Sequence, residues 1–251
     1  MQHRLRHIKE AAIFYWLKEE KLAKLAMRSE MVSYQRNVTL FFAYEQGNKI
    51  YLIKEGRVKL TRTSEAGREV ILDILGPGEI FGELSMVDED VRSHSAVAVD
   101  NIQVFIIHRS DFEKLLKDHP ETALRVLKLA CLRRRELEMR LEDLIFQPLA
   151  NRLALALLWQ ARRHGIWEND NCVSMHLTQS DLAHLIGASR ESVTEHLAKF
   201  KRAGLLQTSY RAIQLIDFTR LMRTLSADVD FEPMELVSGG SMPSSCRAEA
   251  D

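Results

Sequence analysis

The chain has 251 residues, 46% of them apolar and 28% charged, with 35 basic side chains balanced by 35 acidic ones. That length suits one large domain or two smaller ones, and the neutral sum means that contact with nucleic acid must come from a local basic surface. Three cysteines (Cys131, Cys172 and Cys246), far apart and odd in number, exclude a disulfide scaffold and any Cys-x-x-Cys metal or redox site, and they fit a reducing cytoplasm.

Residues 5–30 read as one or two helices, with Leu22, Leu25 and Ala26 at helical spacing. Arg4, Arg6 and Lys9 before Ala11–Leu17 imitate a signal peptide, but charged Lys18–Lys21 follows directly and no small-residue cleavage site is present, so a soluble amphipathic helix is expected. The longest strictly apolar run, Leu153 to Trp159, is far short of the roughly 18 residues a membrane span needs. From Val32 to Ile107 the period switches to two. Short runs (Ile50–Ile53, Val58–Thr63, Val70–Leu75, Ala96–Val99 and Val104–Ile107) are separated by turn residues such as Glu55-Gly56 and Gly76-Pro77-Gly78. Many short strands at this spacing predict a small β-barrel or roll.

Helices then return. Ser110 and Glu113 are spaced as a capping box for a short helix ending near His119-Pro120, and Pro120 suits the first position of the next. No Gly or Pro interrupts the chain from there to Phe146, about 27 residues or roughly 40 Å of helix. Leu127, Ala130, Leu137, Leu141 and Leu144, with Arg134 as a polar interruption, approximate the a/d seam of a dimer helix. Gln147-Pro148 ends it, and a helix from Pro148 to His164 starts a second domain, followed by a loop-like stretch from Gly165 to Asn171. Beyond about Ser226 six acidic residues face a single arginine, an acidic tail expected to be disordered, whose removal leaves the body net basic. The expected domains are 1–119, 120–146, 147–225 and the tail 226–251.

Thr178–Ile186 reads as a capped helix, Gly187 suits a left-handed C′ position, and Ser189 caps a second helix that Gly204 stops. A three-residue glycine turn between two short amphipathic helices is the helix-turn-helix geometry. On the second helix Val193, Leu197 and Phe200 share one apolar arc, while Arg190, Glu191, Thr194, Glu195, Lys201 and Arg202 lie opposite or beside it. Arg190 and Glu191, at the N-terminal end, are the best readers of base edges, since arginine grips guanine and glutamate accepts from cytosine. Lys199, Lys201 and Arg202 suit phosphates, and Thr178, Gln179 and Ser189 complete the expected contact set.

Residues 178–206 resemble the DNA-binding motif of the CRP/FNR superfamily of bacterial regulators, through Gly187-x-Ser189-Arg190-Glu191-x-Val193. The resemblance covers residues 10–220 and implies an α+β chain: an N-terminal β-roll, a long dimerisation helix and a C-terminal winged helix-turn-helix with Gly204–Ile216 as its wing. It also implies a homodimer on near-palindromic double-stranded DNA and contact with RNA polymerase. Glu195 departs from the cyclic-AMP receptor branch, where a second arginine stands, so that branch's operator does not transfer.

Phe81-Gly82-Glu83-Leu84-Ser85 followed by Arg92-Ser93 resembles the family's phosphate-binding cassette. The chemistry fits: Gly82, Leu84 and Ser85 can offer backbone N–H groups to an anion, Arg92 a charged fork, Ser93 a hydroxyl, and Glu83 an acceptor for a ribose hydroxyl. The resemblance brings Arg133 of the long helix to the cassette glutamate or the ligand. Cyclic AMP or another nucleotide is the implied effector. Two departures stand against cyclic AMP: His94 follows Arg-Ser where a small residue is usual, and Leu137 and Glu138 occupy the long-helix places that carry hydroxyls to adenine. A buried Glu83–Arg92 ion pair is the purely structural alternative. The iron–sulfur branch uses N-terminal cysteines, and none precedes Cys131; His94, His108 and His119 read as structural rather than as haem ligands, and Cys131 as packed. No metal site or catalytic set stands out, so no enzyme is expected. The competing function is a nucleotide-binding signalling module that acts on a protein partner.

Overall fold

Helix α1 (Glu19–Arg28) turns Leu22, Leu25 and Ala26 inward, the i, i+3, i+4 spacing of a single helical face. The computed structural model describes residues 7–9, 11, 13–86, 91–209 and 211–225, which form two units dividing between Arg135 and Glu136.

In the first unit eight strands follow: β1 (Glu30–Tyr34), β2 (Thr39–Phe41), β3 (Lys49–Glu55), β4 (Val58–Thr63), β5 (Glu69–Leu75), β6 (Ile80–Phe81), β7 (Ser95–Ala98) and β8 (Ile102–His108). They pair antiparallel as two four-stranded sheets, β1-β8-β3-β6 and β2-β7-β4-β5. The first sheet is buried on both faces. Ile50, Leu52, Ile80, Phe105 and Ile107 pack with the α1 residues and Phe14, while Tyr51, Ile53, Phe81, Val104 and Ile106 point to the roll interior with Val58, Leu60, Ala96 and Ala98. Alternate residues therefore serve two cores, which is why these strands read as apolar runs.

Helix α2 (Arg109–Asp118) starts one residue before the expected capping serine. Its N-cap is His108, without a side-chain cap, because the Arg109 N–H is already held by the Asn48 carbonyl at 2.9 Å. Ser110 thus falls inside the helix, and Glu113 accepts instead from Arg109 Nε at 2.6 Å. Helix α3 (Pro120–Phe146) runs without a break over 27 residues and contributes to both units. Leu124, Leu127, Leu137, Leu141, Leu144, Ile145 and Phe146 are exposed along it, as is Cys131. Cys131, expected to pack on the dimer helix, is exposed within the single chain among the described residues.

The second unit is built on α4 (Leu149–His164), whose Leu153, Leu157, Leu158 and Ala161 are fully buried. Four short strands, β9 (Ile166–Trp167), β10 (Val173–Met175), β11 (Leu206–Ser209) and β12 (Ala212–Leu215), form a sheet in the order β11-β12-β10-β9. The stretch read as loop thus contains a strand, with Trp167 opposite Val173; two residues are too few to show a period. The expected wing is the β11–β12 hairpin. Helices α5 (Gln179–Ile186), α6 (Arg190–Arg202) and α7 (Phe218–Met222) complete the unit. The acidic tail lies outside the described residues.

Candidate functional site

In the second unit α5 and α6 are fixed by their caps. The Thr178 hydroxyl accepts from the Asp181 N–H at 3.0 Å, and the Asp181 carboxylate accepts from the Thr178 N–H at 3.3 Å, a reciprocal capping box. Gly187 then takes φ +63°, a left-handed conformation that costs an L side chain about 1 kcal/mol. Ser189 opens α6 by accepting from the Ser192 N–H at 3.1 Å. Val193 and Leu197 are buried and Phe200 is half-buried, while Arg190, Glu191, Thr194, Glu195, Lys199, Lys201 and Arg202 are exposed.

Two polar links organise that outer face. Thr194 Oγ1 donates to Gln179 Oε1 at 2.7 Å, tying the first residue of α5 to the middle of α6. Glu195 accepts from Lys199 at 2.8 Å, one turn away, and that ammonium holds the Glu195 carboxyl below its usual range. Lys199, expected as an unencumbered phosphate ligand, thus carries a carboxylate beside it. The Glu191 carboxyl is also lowered, by its own backbone N–H and then by the Ser189 hydroxyl, so it remains an acceptor.

In the first unit Arg92, only 4% exposed, sits at the centre of the cassette. Its Nη1 donates to the Gly82 carbonyl at 2.6 Å and the Ser85 hydroxyl at 3.2 Å, and its Nη2 to the Lys49 carbonyl at 2.6 Å. The guanidinium lies 4.3 Å from the centre of the Phe41 ring, and Phe41, Tyr51 and Phe81 stack beneath it. Its Nε is buried without an acceptor among the described residues. The postulated Glu83–Arg92 pair does not form: Glu83 accepts from Arg133 Nη1 at 2.9 Å, and Arg133 Nη2 donates to the Ile80 carbonyl at 2.7 Å. Arg92 is occupied by carbonyls, so the α3 arginine takes the carboxylate. Gly82, at φ +83°, leaves the space that Arg92 fills, since a Cβ there would lie 2.5 Å from Nη1.

The structure therefore brings together Gly82, Glu83, Ser85, Arg92 and Arg133. Leu84 is 42% exposed, and the Ser93 hydroxyl is engaged by His94 Nδ1 at 3.0 Å. His94 is buried, and its pKa is lowered to about 4 by desolvation and by Arg133, Arg92 and Arg62. It is a neutral ring wedged beside the cassette. Glu138 is an exposed position of α3 in the second unit. The segment joining Ser85 to Arg92 falls partly outside the described residues.

Residues 31–119 match the model of the cyclic nucleotide-binding domain, and residues 151–224 match that of the Crp-like helix-turn-helix domain. The chain is 34% identical over 214 residues to the CRP-like cAMP-activated global transcriptional regulator of Mycobacterium tuberculosis, a match that spans 85% of this chain and 96% of that one. The chain belongs to the CRP family of transcription regulators. A second relative, the cyclic AMP receptor protein of Thermus thermophilus, is 32% identical, with 80% of this chain and 90% of that one covered. The fold is that of the solved structure of FixK2 from Bradyrhizobium japonicum (TM-score 0.71, 21% identity, 80% of this chain and 99% of that one covered).

This CRP-family protein is a DNA-binding transcription regulator with a cyclic nucleotide-binding-type β-roll, and its helix-turn-helix decides against the protein-docking alternative. Among the described residues no helix is long and apolar enough to cross a membrane. Four residues around the cassette were not anticipated: Gly47, where a Cβ would lie 2.8 Å from Arg92 Nε; Lys49, through its carbonyl; and Tyr44 and Arg62, which meet the Arg92–Ser93 backbone. Backbone acceptors carry no side-chain signature. Gly47 offered a signal only as a glycine beside a polar turn.

Proposed function

We propose that this regulator works as a homodimer that reads a near-palindromic site through α6 and changes its affinity when an anionic effector occupies the β-roll. The exposed leucines of α3 support self-association, because a line of apolar side chains open to water favours a covering partner. Paired recognition helices then enter successive major grooves about 34 Å apart. Arg190 and Glu191 read base edges; Thr178, Gln179, Ser189 and Thr194 flank them; Lys201 and Arg202, with Lys199 once released from Glu195, hold phosphates.

The observation that carries the effector reading is the buried Arg92 guanidinium, whose donors meet only carbonyls and a hydroxyl among the described residues, Glu83 and Glu45 acting on its charge without a direct bond, and whose Nε is left over. A charged fork held by neutral acceptors can exchange them for an anion. Glu83, with Gly82, Leu84, Ser85 and Ser93, supplies the rest of the cradle, and Arg133 connects it to α3. The mycobacterial relative's name supports a cyclic nucleotide as the effector. Residues 1–119 serve as the sensing part, 120–146 as the dimer element and 147–225 as the DNA-binding part; RNA polymerase in the cytoplasm is the partner, and no catalysis is involved.

The deciding measurement pairs cyclic AMP titration by calorimetry with operator binding in the same protein. Arg92→Ala should abolish the nucleotide's effect on DNA affinity while leaving effector-free DNA binding intact. Unchanged nucleotide response in that variant removes the cassette from the mechanism.

A further inference from the structure

The outer surface of the second unit carries cations without a bonded counter-charge. Arg190 opens α6, Lys201 and Arg202 close it, and Arg220 and Arg223 stand on and just after α7. All are exposed, and none makes an ion pair with a described residue. Arg190 and Arg202 act on Glu191 and Glu195 without a direct bond, and the Glu195 carboxylate is spent on Lys199.

The chain brings its own opposite charge to this neighbourhood. The Ile216 N–H donates to the Leu205 carbonyl at 3.0 Å, and the Leu205 N–H to the Phe200 carbonyl at 3.0 Å, so Ile216 lies against the last turn of α6. Beyond it the backbone stays wound: after α7 the Thr224 N–H donates to the Leu221 carbonyl and the Leu225 N–H to the Met222 carbonyl, each at 3.1 Å. At 1.5–2.0 Å of rise per residue, Leu225 therefore lies within about 20 Å of Ile216. Residues 226–251, outside the described residues, begin with Asp228, Asp230, Glu232 and Glu235, interleaved with Val229, Phe231 and Met234 and with no basic residue among them. Pro233 biases Glu232 toward extended backbone, in which alternate carboxylates share one side about 7 Å apart. The chain from Leu225 to Glu235 spans up to about 35 Å, more than the gap to Lys201 and Arg202.

We propose that the segment 228–235 docks on Lys201, Arg202 and the neighbouring α7 arginines as a phosphate mimic, and that it competes with DNA there. This rests on α6 being the DNA-reading helix. Each exposed ion pair contributes little, but a short tether supplies an effective concentration in the millimolar range, enough to populate a weak contact. Duplex DNA displaces it because each strand presents a charge every 3.4 Å or so of helix axis, about twice the density of the segment. The covered cations hold phosphates rather than read bases, so the segment lowers affinity for every duplex by one common factor, largest at low salt.

The test uses the full chain and a short random-sequence duplex, followed by fluorescence anisotropy. The parent is compared with the combined variant Asp228→Asn, Asp230→Asn, Glu232→Gln, Glu235→Gln, and with the distal control Glu249→Gln, Asp251→Asn. At about 50 mM salt the combined variant should bind about five- to tenfold more tightly and the control within about twofold of the parent. The gain should shrink below about twofold near 300 mM, and the salt slope should steepen by about two phosphate equivalents, because DNA no longer displaces the segment. Placing Lys201→Gln and Arg202→Gln in both chains should erase the difference between them. Carbodiimide coupling in dilute protein should join Lys201 to the 228–235 carboxylates, and the duplex should suppress that product. Unchanged affinity in the combined variant, an equal gain in the distal control, or a gain that survives loss of Lys201 and Arg202 overturns the proposal while leaving DNA reading by α6 in place. A segment that serves a protein partner instead gives unchanged affinity and no coupling to Lys201, which likewise overturns it. If the parent and every variant fail to bind the duplex even at low salt, the DNA reading of α6 itself fails, and this proposal with it.

Discussion

Lowering the pH tests the buried imidazole of His94 directly. The fold drops its pKa from 6.5 to about 4, chiefly because burial penalises the charged ring and secondarily because Arg133, Arg92 and Arg62 repel it. Between those values the unfolded chain binds a proton that the folded chain refuses, so the stabilisation is complete above pH 6.5 and is lost as the pH falls toward 4. At about pH 5 the unfolded imidazole is almost wholly protonated and the folded one almost wholly neutral, which removes roughly 2 kcal/mol relative to pH 7.5. Urea unfolding followed by Trp16 fluorescence, with Trp159 and Trp167 replaced by Phe so that the signal reports the first unit, measures the loss. A His94→Gln chain carries no such proton and should lose about 2 kcal/mol less than the parent over that interval; all other titrating groups cancel in the comparison. Identical losses in both chains would mean that His94 titrates in the fold as it does in water, and the packing account of the cassette would be wrong.

Three further outcomes are expected. Thr178→Ala removes the acceptor that caps α5 and should cost the second unit about 1 kcal/mol, read from unfolding followed at Trp159 and Trp167. Glu195→Gln releases Lys199 and removes a negative charge from the outer face of α6; operator affinity should rise, and the slope of log affinity against log salt should steepen by up to about one phosphate equivalent. Leu141→Glu, on the exposed seam of α3, should shift the protein from dimer to monomer in sedimentation velocity and weaken binding to a two-half-site operator far more than to one half-site.

Much of the architecture was legible because its signals are local. Thr178, Gly187 and Ser189 act on backbone groups within four residues of themselves, and each took the role its type and spacing predicted. The α3 boundaries followed from Pro120 and Pro148 for the same reason. What escaped was set by distant partners. Ser110 looked like a cap, yet the Asn48 carbonyl, far off in sequence, moved the N-cap of α2 two residues back, to His108. The Arg133–Glu83 pair joins residues 50 apart and was legible only through the resemblance, which brought Arg133 to the cassette glutamate or the ligand; Arg92 is satisfied by main-chain oxygens of Lys49 and Gly82 that any residue type would offer. β9 is two residues long, shorter than the period needed to declare it. Tyr44 gave no warning either, since a left-handed tyrosine becomes visible only in the backbone angles.

The bond from Thr194 to Gln179 has an evolutionary corollary. On the proposed reading of α6, a descendant that exchanges the threonine for valine should lose more than one contact with its operator, because the glutamine amide loses its anchor at the same moment. Drift toward a new regulon would thus proceed by paired replacement at these two positions, and lineages should carry matched combinations of them rather than a free assortment.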